Sequence, residues 1–304
     1  MERYTGVKVI CTTKEVIDRL YSQESIAVDE FDKRLKLESQ QNLYVVLTNK
    51  VVSDNGEEIS PSTSSAIGRV IGNRIHKIAI TKELNVGGIK ARNKEQQMAL
   101  DALTDDSIKA VTLTGPAGTG KTLLTIAAAL AAVDRKAYSR IILTRPMTQV
   151  GKHELGILPG EIHDKFGPYL QNYMCNMEFL LKDRKKTKGK VDLTDILDAY
   201  NMEFVPLQLI RGASWPDSFI IADEVQTLNY HEMLTLGTRV GENSKIVIMG
   251  DLAQRDEKIA KDKTGIWRFS NSDLAKSSKL VSHIELLKCE RSEISKLFAD
   301  VFEE

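Results

Sequence analysis

The stretch Gly115-Pro116-Ala117-Gly118-Thr119-Gly120-Lys121-Thr122 fits G-x-x-x-x-G-K-[ST], a spacing whose residue types suit the holding of a polyphosphate. Gly115, Gly118 and Gly120 let the backbone curl with its N–H groups pointing inward, and a helix starting at the end of the loop adds the positive end of its dipole. Lys121 would reach the β- and γ-phosphates as a point charge, and the Thr122 hydroxyl would sit on the Mg2+ that bridges them. With Leu123, all nine residues from 115 to 123 are expected to contact a nucleotide. A glycine turn can match this pattern by chance, but here an apolar β-prone run precedes it at 111–114 and a helical run follows at 123–133, the context the motif requires.

Two further segments carry chemistry. Phe219-Ile220-Ile221-Ala222 reads as a buried strand ending in Asp223-Glu224, about a hundred residues after the loop. Two acids at a strand end are ordinarily a solvated turn. Behind a phosphate loop, Asp223 would hold the Mg2+ shell and Glu224 would polarise an attacking water, a task a simple nucleotide kinase lacks. The next strand ends in Gly250-Asp251-Leu252-Ala253-Gln254, where Gln254 is placed to hydrogen-bond the γ-phosphate or the lytic water with Asp251 in support. Some two dozen residues before Lys121, Gln96 carries an amide that can meet both hydrogen-bonding edges of adenine, or can equally be one polar residue on a surface helix capped by Asn93.

The elements that position these residues follow a repeated strand, loop and helix pattern, with strands expected at 140–144, 203–207, 219–222 and 245–249. That pattern predicts an α/β domain built on a parallel sheet over residues 85–304. Residues 1–84 differ. Short β-prone pieces at 7–12 and 43–47, a mixed-charge, partly helical stretch at 14–38, loop signals around 53–65 and apolar alternation at 69–80 predict a small α+β or β-rich module, a scaffold or docking unit without catalytic groups.

Forty-two basic and 42 acidic residues in 304 balance, so a nucleic-acid surface would have to be a local patch. Cys11, Cys175 and Cys289 are far apart and lack histidines at ligand spacing, which points to reduced thiols in a cytoplasmic protein. No apolar run is long enough to span a bilayer and no signal-peptide pattern opens the chain, so a soluble protein is expected. The basic run 182–190 reads first as a solvated loop and second as a phosphate-tracking patch. The segment 144–160, punctuated by glycine and proline, is longer than a routine connection, as functional loops often are.

Taken together these residues resemble the PhoH family, in particular its branch in which the ATPase follows an RNA-cleaving PIN domain. The matching blocks are 88–96, 115–122, 144–160, Leu209-Ile210-Arg211-Gly212, Asp223-Glu224-Val225-Gln226, 250–254 and Cys289-Glu290-Arg291-Ser292-Glu293. The resemblance implies a RecA-like P-loop ATPase related to superfamily 1 helicases, taking ATP and Mg2+, acting on RNA or single-stranded nucleic acid and assembling as a hexameric ring. Two departures stand out: no PIN domain precedes the connector-like 1–84, so its nuclease activity is not expected, and Val225 stands where the family usually has alanine. With one phosphate loop and few residues after Gln254, the transition-state arginine is expected from a neighbouring subunit, with Arg291 the first candidate and Arg239 the second.

Alternatives remain open. A small-molecule kinase fits poorly with Glu224, and a GTPase lacks its guanine-reading motif, since Asn49-Lys50 lies far upstream of the loop. A ring-forming assembly module, gated by nucleotide and hydrolysing slowly without helicase activity, is the alternative from another class. Lys121→Ala is expected to abolish tight nucleotide binding while the chain stays folded. Calorimetric titration with ATP checks this, and undiminished affinity in a folded variant would count against the whole assignment.

Overall fold

The computed structural model describes residues 4–49, 51–52, 58–60, 64–147, 162–181, 193–255 and 260–290, with the single helical positions 294, 297 and 301. The N-terminal part contains β1 (Val7–Cys11), α1 (Lys14–Gln23), β2 (Ser25–Ala27), β3 (Tyr44–Thr48), a short pair β4 (Val51–Val52) and β5 (Glu58–Ser60), then β6 (Ser65–Ile71) and β7 (Arg74–Lys77). There follow α2 (Lys94–Thr104), β8 (Ala110–Thr114), α3 (Lys121–Asp134), β9 (Arg140–Thr144), α4 (Ile162–Leu181), α5 (Leu193–Ala199), β10 (Met202–Phe204), β11 (Ser218–Ala222), α6 (Tyr230–Gly237), β12 (Lys245–Gly250), α7 (Gly265–Asn271), α8 (Asp273–Ser277) and β13 (Val281–Glu285).

The second sheet runs β10-β9-β11-β12-β8-β13, and every pairing in it is parallel. Parallel strands joined by crossover helices have both faces covered, so their sequences are continuous apolar runs. All residues of β11 and β12 are buried. Alternation divides them: Phe219 and Ile221 pack with the α2 and α3 side, Ile220 and Ala222 with Leu236 of α6 and Ile266 of α7. This is a mixed α/β, RecA-like architecture. Two expectations shift in detail. The strand expected at 203–207 stops at Phe204, ahead of Pro206 and the single helical turn Leu207–Leu209, and a sixth strand, β13, lies beside β8.

The N-terminal sheet, β1-β3-β6-β7-β2, is mixed, with β1 parallel to β3 and the other pairs antiparallel. One face has its own core, with Val45 and Leu47 against Ile17 and Leu20 of α1. The other face, including Tyr44, Val46 and Ile67, belongs to the same hydrophobic core as α2 and α3.

Helix α2 is pinned at its C-terminal end by polar groups from both sides. The Tyr44 hydroxyl donates to Asp101 Oδ2 at 2.8 Å, and Arg69 pairs with Asp101 and Asp105. Lys245, fully buried at the start of β12, donates from Nζ to the carbonyls of Ala102, Leu103 and Asp105 at 2.8, 2.7 and 2.9 Å. These carbonyls close a helix end that would otherwise lack donors. Burial lowers the Lys245 pKa to about 7, against the opposing pull of Asp106 and Asp105.

All three bonds need the ammonium; between pH 7 and the ordinary lysine range the folded chain has released a proton that the unfolded chain holds, leaving two N–H donors for the three carbonyls. Stability from this group therefore rises with pH across that window. Lys245→Met is expected to cost roughly 2–4 kcal/mol by orphaning the carbonyls and to flatten that rise; denaturant unfolding at pH 7 and pH 9 measures both.

Candidate active site

The phosphate loop leaves β8 at buried Thr114 and turns on Gly115, whose φ of 138° only glycine adopts readily. Its missing side chain is also a matter of space. A Cβ there would stand 1.9 Å from the Leu286 carbonyl, because the chain leaving β13 crosses at this point and Leu286 N–H donates to Thr114 O at 2.8 Å. The Thr119 hydroxyl closes the loop onto Pro116 O at 3.1 Å, and Gly120, at φ 97°, caps α3. Lys121 is the first residue of that helix, and its Nζ donates to the carbonyls of Gly115 at 2.5 Å and Pro116 at 2.9 Å, which sets the ammonium inside the curl of the loop. Thr122 and Leu123 follow on the first turn. Together with Ala117, Gly118, Gly120 and Lys121 they line a cavity of about 270 Å3.

The same cavity is lined by Asp223, Glu224, Asp251 and Gln254. Asp223 is buried, its Oδ2 accepting from the Tyr173 hydroxyl at 2.9 Å and its Oδ1 from Glu224 N–H at 2.9 Å. Burial, and then the neighbouring charge of Glu224, push its pKa up, while the Tyr173 hydroxyl and the Glu224 N–H pull it back. Glu224 occupies the left-handed region at φ 57°, and its Oε2 accepts from Gln226 Nε2 at 2.7 Å. The other end of the buried Gln226 amide accepts from Asp251 N–H at 3.3 Å. Val225, between the carboxylates and Gln226, is fully buried in the core beneath them.

This donor set fits a hard cation. Asp251 Oδ1 accepts from Ala253 N–H, whereas its buried Oδ2 has no hydrogen-bond partner among the described residues. No cluster of three or more His, Cys, Asp or Glu side chains able to hold a metal occurs among the described residues. Mg2+ needs none, since one or two carboxylates, a hydroxyl, waters and substrate phosphates complete its shell. Thr122 and Asp223, which both line the cavity, would supply the protein share.

Gln96 is close to the loop but is engaged differently from an adenine reader. It is buried, its Oε1 accepts from Arg92 N–H at 2.9 Å, and its Nε2 donates to Thr119 O at 3.0 Å. Asn93 caps α2 as expected by accepting from Gln96 N–H at 2.9 Å. The C-terminal segment laces the same corner: Glu290 N–H donates to Gly118 O at 3.0 Å, and Glu290 Oε1 accepts from Asn93 at 2.7 Å.

Sequence reasoning passed over Tyr173, Asn172 and Asn176 of α4, although Tyr173 lies 50 residues before the Asp223 that it meets. Both asparagines line the nucleotide-side cavity. Their i, i+4 spacing, with an Asn176 Nδ2 to Asn172 Oδ1 hydrogen bond of 3.1 Å, was the available sign of a shared face. Arg239 donates from Nε to Thr235 O and from Nη2 to Thr238 Oγ1 at the end of its own helix, and from Nη1 to Ala213 O in the segment before β11. Arg291, the basic run 182–190 and the loop 148–160 lie outside the described residues.

A family model described as PhoH-like protein matches residues 88–303. Protein PhoH2 of Bacillus subtilis is 34% identical over 308 residues, covering 99% of this chain and 64% of its own, and Protein PhoH2 of Mycolicibacterium smegmatis is 36% identical over 251 residues, covering 82% and 55%. The chain belongs to the PhoH family. It spans a little over half to about two thirds of the length of these two relatives. Among solved structures, the Sulfolobus solfataricus SWI2/SNF2 ATPase core in complex with double-stranded DNA is a distant likeness, with a TM-score of 0.40 and 14% identity over 67% of this chain and 40% of that one.

The PhoH match begins at Gly88 and takes in every candidate site residue. The module ahead of it is not peculiar to this chain, since the Bacillus PhoH2 alignment runs across it. No helix among the described residues is long and apolar enough to cross a membrane.

The placement of Gln96 gives a test. As a clamp between α2 and the loop, Gln96→Ala should lower stability by about 1–3 kcal/mol and weaken ATP and GTP binding alike. Thermal denaturation and paired nucleotide titrations check it. Unchanged stability with a selective loss of ATP would return Gln96 to adenine recognition.

Proposed function

We propose that this PhoH protein hydrolyses ATP with Mg2+ and couples hydrolysis to binding and movement along RNA or another single-stranded nucleic acid. The carrying observation is that Glu224 and Gln254 wall two cavities at once, the pocket beside the phosphate loop and a larger one on their far side. A group that takes the proton from the lytic water is thus exposed to a second ligand.

In this reading the loop N–H groups and Lys121 hold the β- and γ-phosphates, with Lys121 exchanging its two carbonyl partners for phosphate oxygens. Thr122 and Asp223 would hold Mg2+, which would supply neutralisation of the phosphate charge. Glu224 accepts the proton of the water that attacks the γ-phosphorus as the bond to the β-bridging oxygen breaks. Gln254 orients that water, Gln226 fixes the Glu224 carboxylate, and Tyr173 fixes Asp223.

A ring, with Arg291 of one subunit reaching the nucleotide of the next, belongs to the same proposal, as does a cytoplasmic location. Ile294, Leu297 and Val301, all exposed and spaced along one helical face, are apolar surface that assembly could cover. The hydrogen bond that holds Glu224 to Gln226 favours slow basal hydrolysis, as the assembly-module alternative also requires.

The separating test is Glu224→Gln, which should keep Mg-ATP affinity and slow hydrolysis by roughly two to four orders of magnitude. Single-turnover rates and equilibrium titration read the two quantities. Hydrolysis at the parental rate would move the base elsewhere.

A further inference from the structure

We infer that the larger cavity is a seat for the backbone of a single strand, gripped by its phosphates and not by its bases; the inference rests on the strand-coupled reading of the site. The cavity measures about 870 Å3, against 270 Å3 for the nucleotide pocket. It is walled by residues that follow β9, β10, β11 and β12, the carboxyl edge where ligands of a parallel sheet collect.

Its charged lining is predominantly cationic. Arg145, Arg211 and Arg255 come from three different loops and His231 from α6. The two carboxylates are already engaged: Glu224 accepts from Gln226, and Glu232 accepts from Asn229 N–H in the capping box of α6. Arg255 Nη1 donates to Leu252 O at 2.9 Å, which fixes one guanidinium at the rim, while Arg211 is exposed beside Gly212, where φ is 81°. Guanidinium forks match phosphate oxygens.

What the cavity lacks is as informative. Its described lining residues include no Phe, Tyr or Trp; the one imidazole is that of His231, and the apolar members, such as Leu207 and Ile210, are aliphatic. Base stacking in strand sites draws chiefly on those larger rings. Without them, the phosphate charge carries recognition, and affinity should be indifferent to base identity and steeply dependent on salt.

The seat also reaches the chemistry. Gln226 lines this cavity while holding Glu224 Oε2. A phosphate oxygen in the seat offers the Gln226 amide a second acceptor and loosens its hold on Glu224, so a strand stripped of bases should still accelerate hydrolysis.

The experiment is fluorescence anisotropy with the full chain over a salt series, using a uridine RNA, an abasic sugar-phosphate strand of the same length and a linear inorganic polyphosphate, with ATPase rates in parallel. The abasic strand should bind within about threefold of the RNA and stimulate hydrolysis. Arg211→Ala and His231→Ala should weaken both strands alike, and Arg211→Ala should reduce the salt slope by about 1; Arg211→Lys should restore that slope.

RNA binding tenfold or more tighter than the abasic strand would show that stacking carries the affinity and would overturn the seat. Strands that bind and stimulate unchanged in both alanine variants would place the strand elsewhere, ending this inference while leaving the strand-coupled reading intact. Absence of strand binding would end both, and polyphosphate binding alone through Arg211 would reassign the seat to free phosphate chains.

Discussion

Asp223 and Glu224 are consecutive carboxylates at the end of a strand with no exposed residue, and the cost of holding two negative charges there organises everything around them. Burial alone pushes Asp223 towards its protonated form, which cannot ligate a cation well. The structure offsets this with a tyrosine hydroxyl from α4, a backbone N–H and the charge of Arg145, while Glu224 is turned outward by its left-handed backbone and tied by Gln226. Gly250 belongs to the same arrangement. A Cβ at that position would stand 2.8 Å from Gln226 Oε1, so glycine gives the amide its space.

The other half of the site is braced by α2. Its N-terminal turn holds the phosphate loop through Gln96 and the C-terminal segment through Asn93 and Glu95, and its C-terminal turn is held by Lys245 and Arg69. Arg69 and Tyr44 come from the N-terminal sheet. The module therefore touches the helix that positions the phosphate loop.

The loop, the two acids and the parallel-sheet pattern were legible in the sequence because each rests on contiguous segments whose chemistry is local. Gln96 touches the phosphate loop, and its partners, Arg92 N–H and Thr119 O, emerge only when the loop folds back over α2. Strand β13 was not anticipated because Ser282, His283 and Glu285 are buried polar residues that hide an apolar period; His283 Nδ1 meets Thr112 Oγ1 at 2.6 Å. Tyr173 belongs to no motif at all. The N-terminal module was read as a separate unit, although Tyr44-Val45-Val46-Leu47 is a continuous buried run of the kind that covers two faces.

If Glu224 is the group through which strand and nucleotide communicate, the steady-state ATPase rate of the intact chain is its most direct readout, measured with and without saturating single-stranded RNA at fixed Mg2+. The account predicts a clear rise with RNA in the parent chain and no rise in Glu224→Gln. A parental rate that RNA leaves unchanged would contradict it.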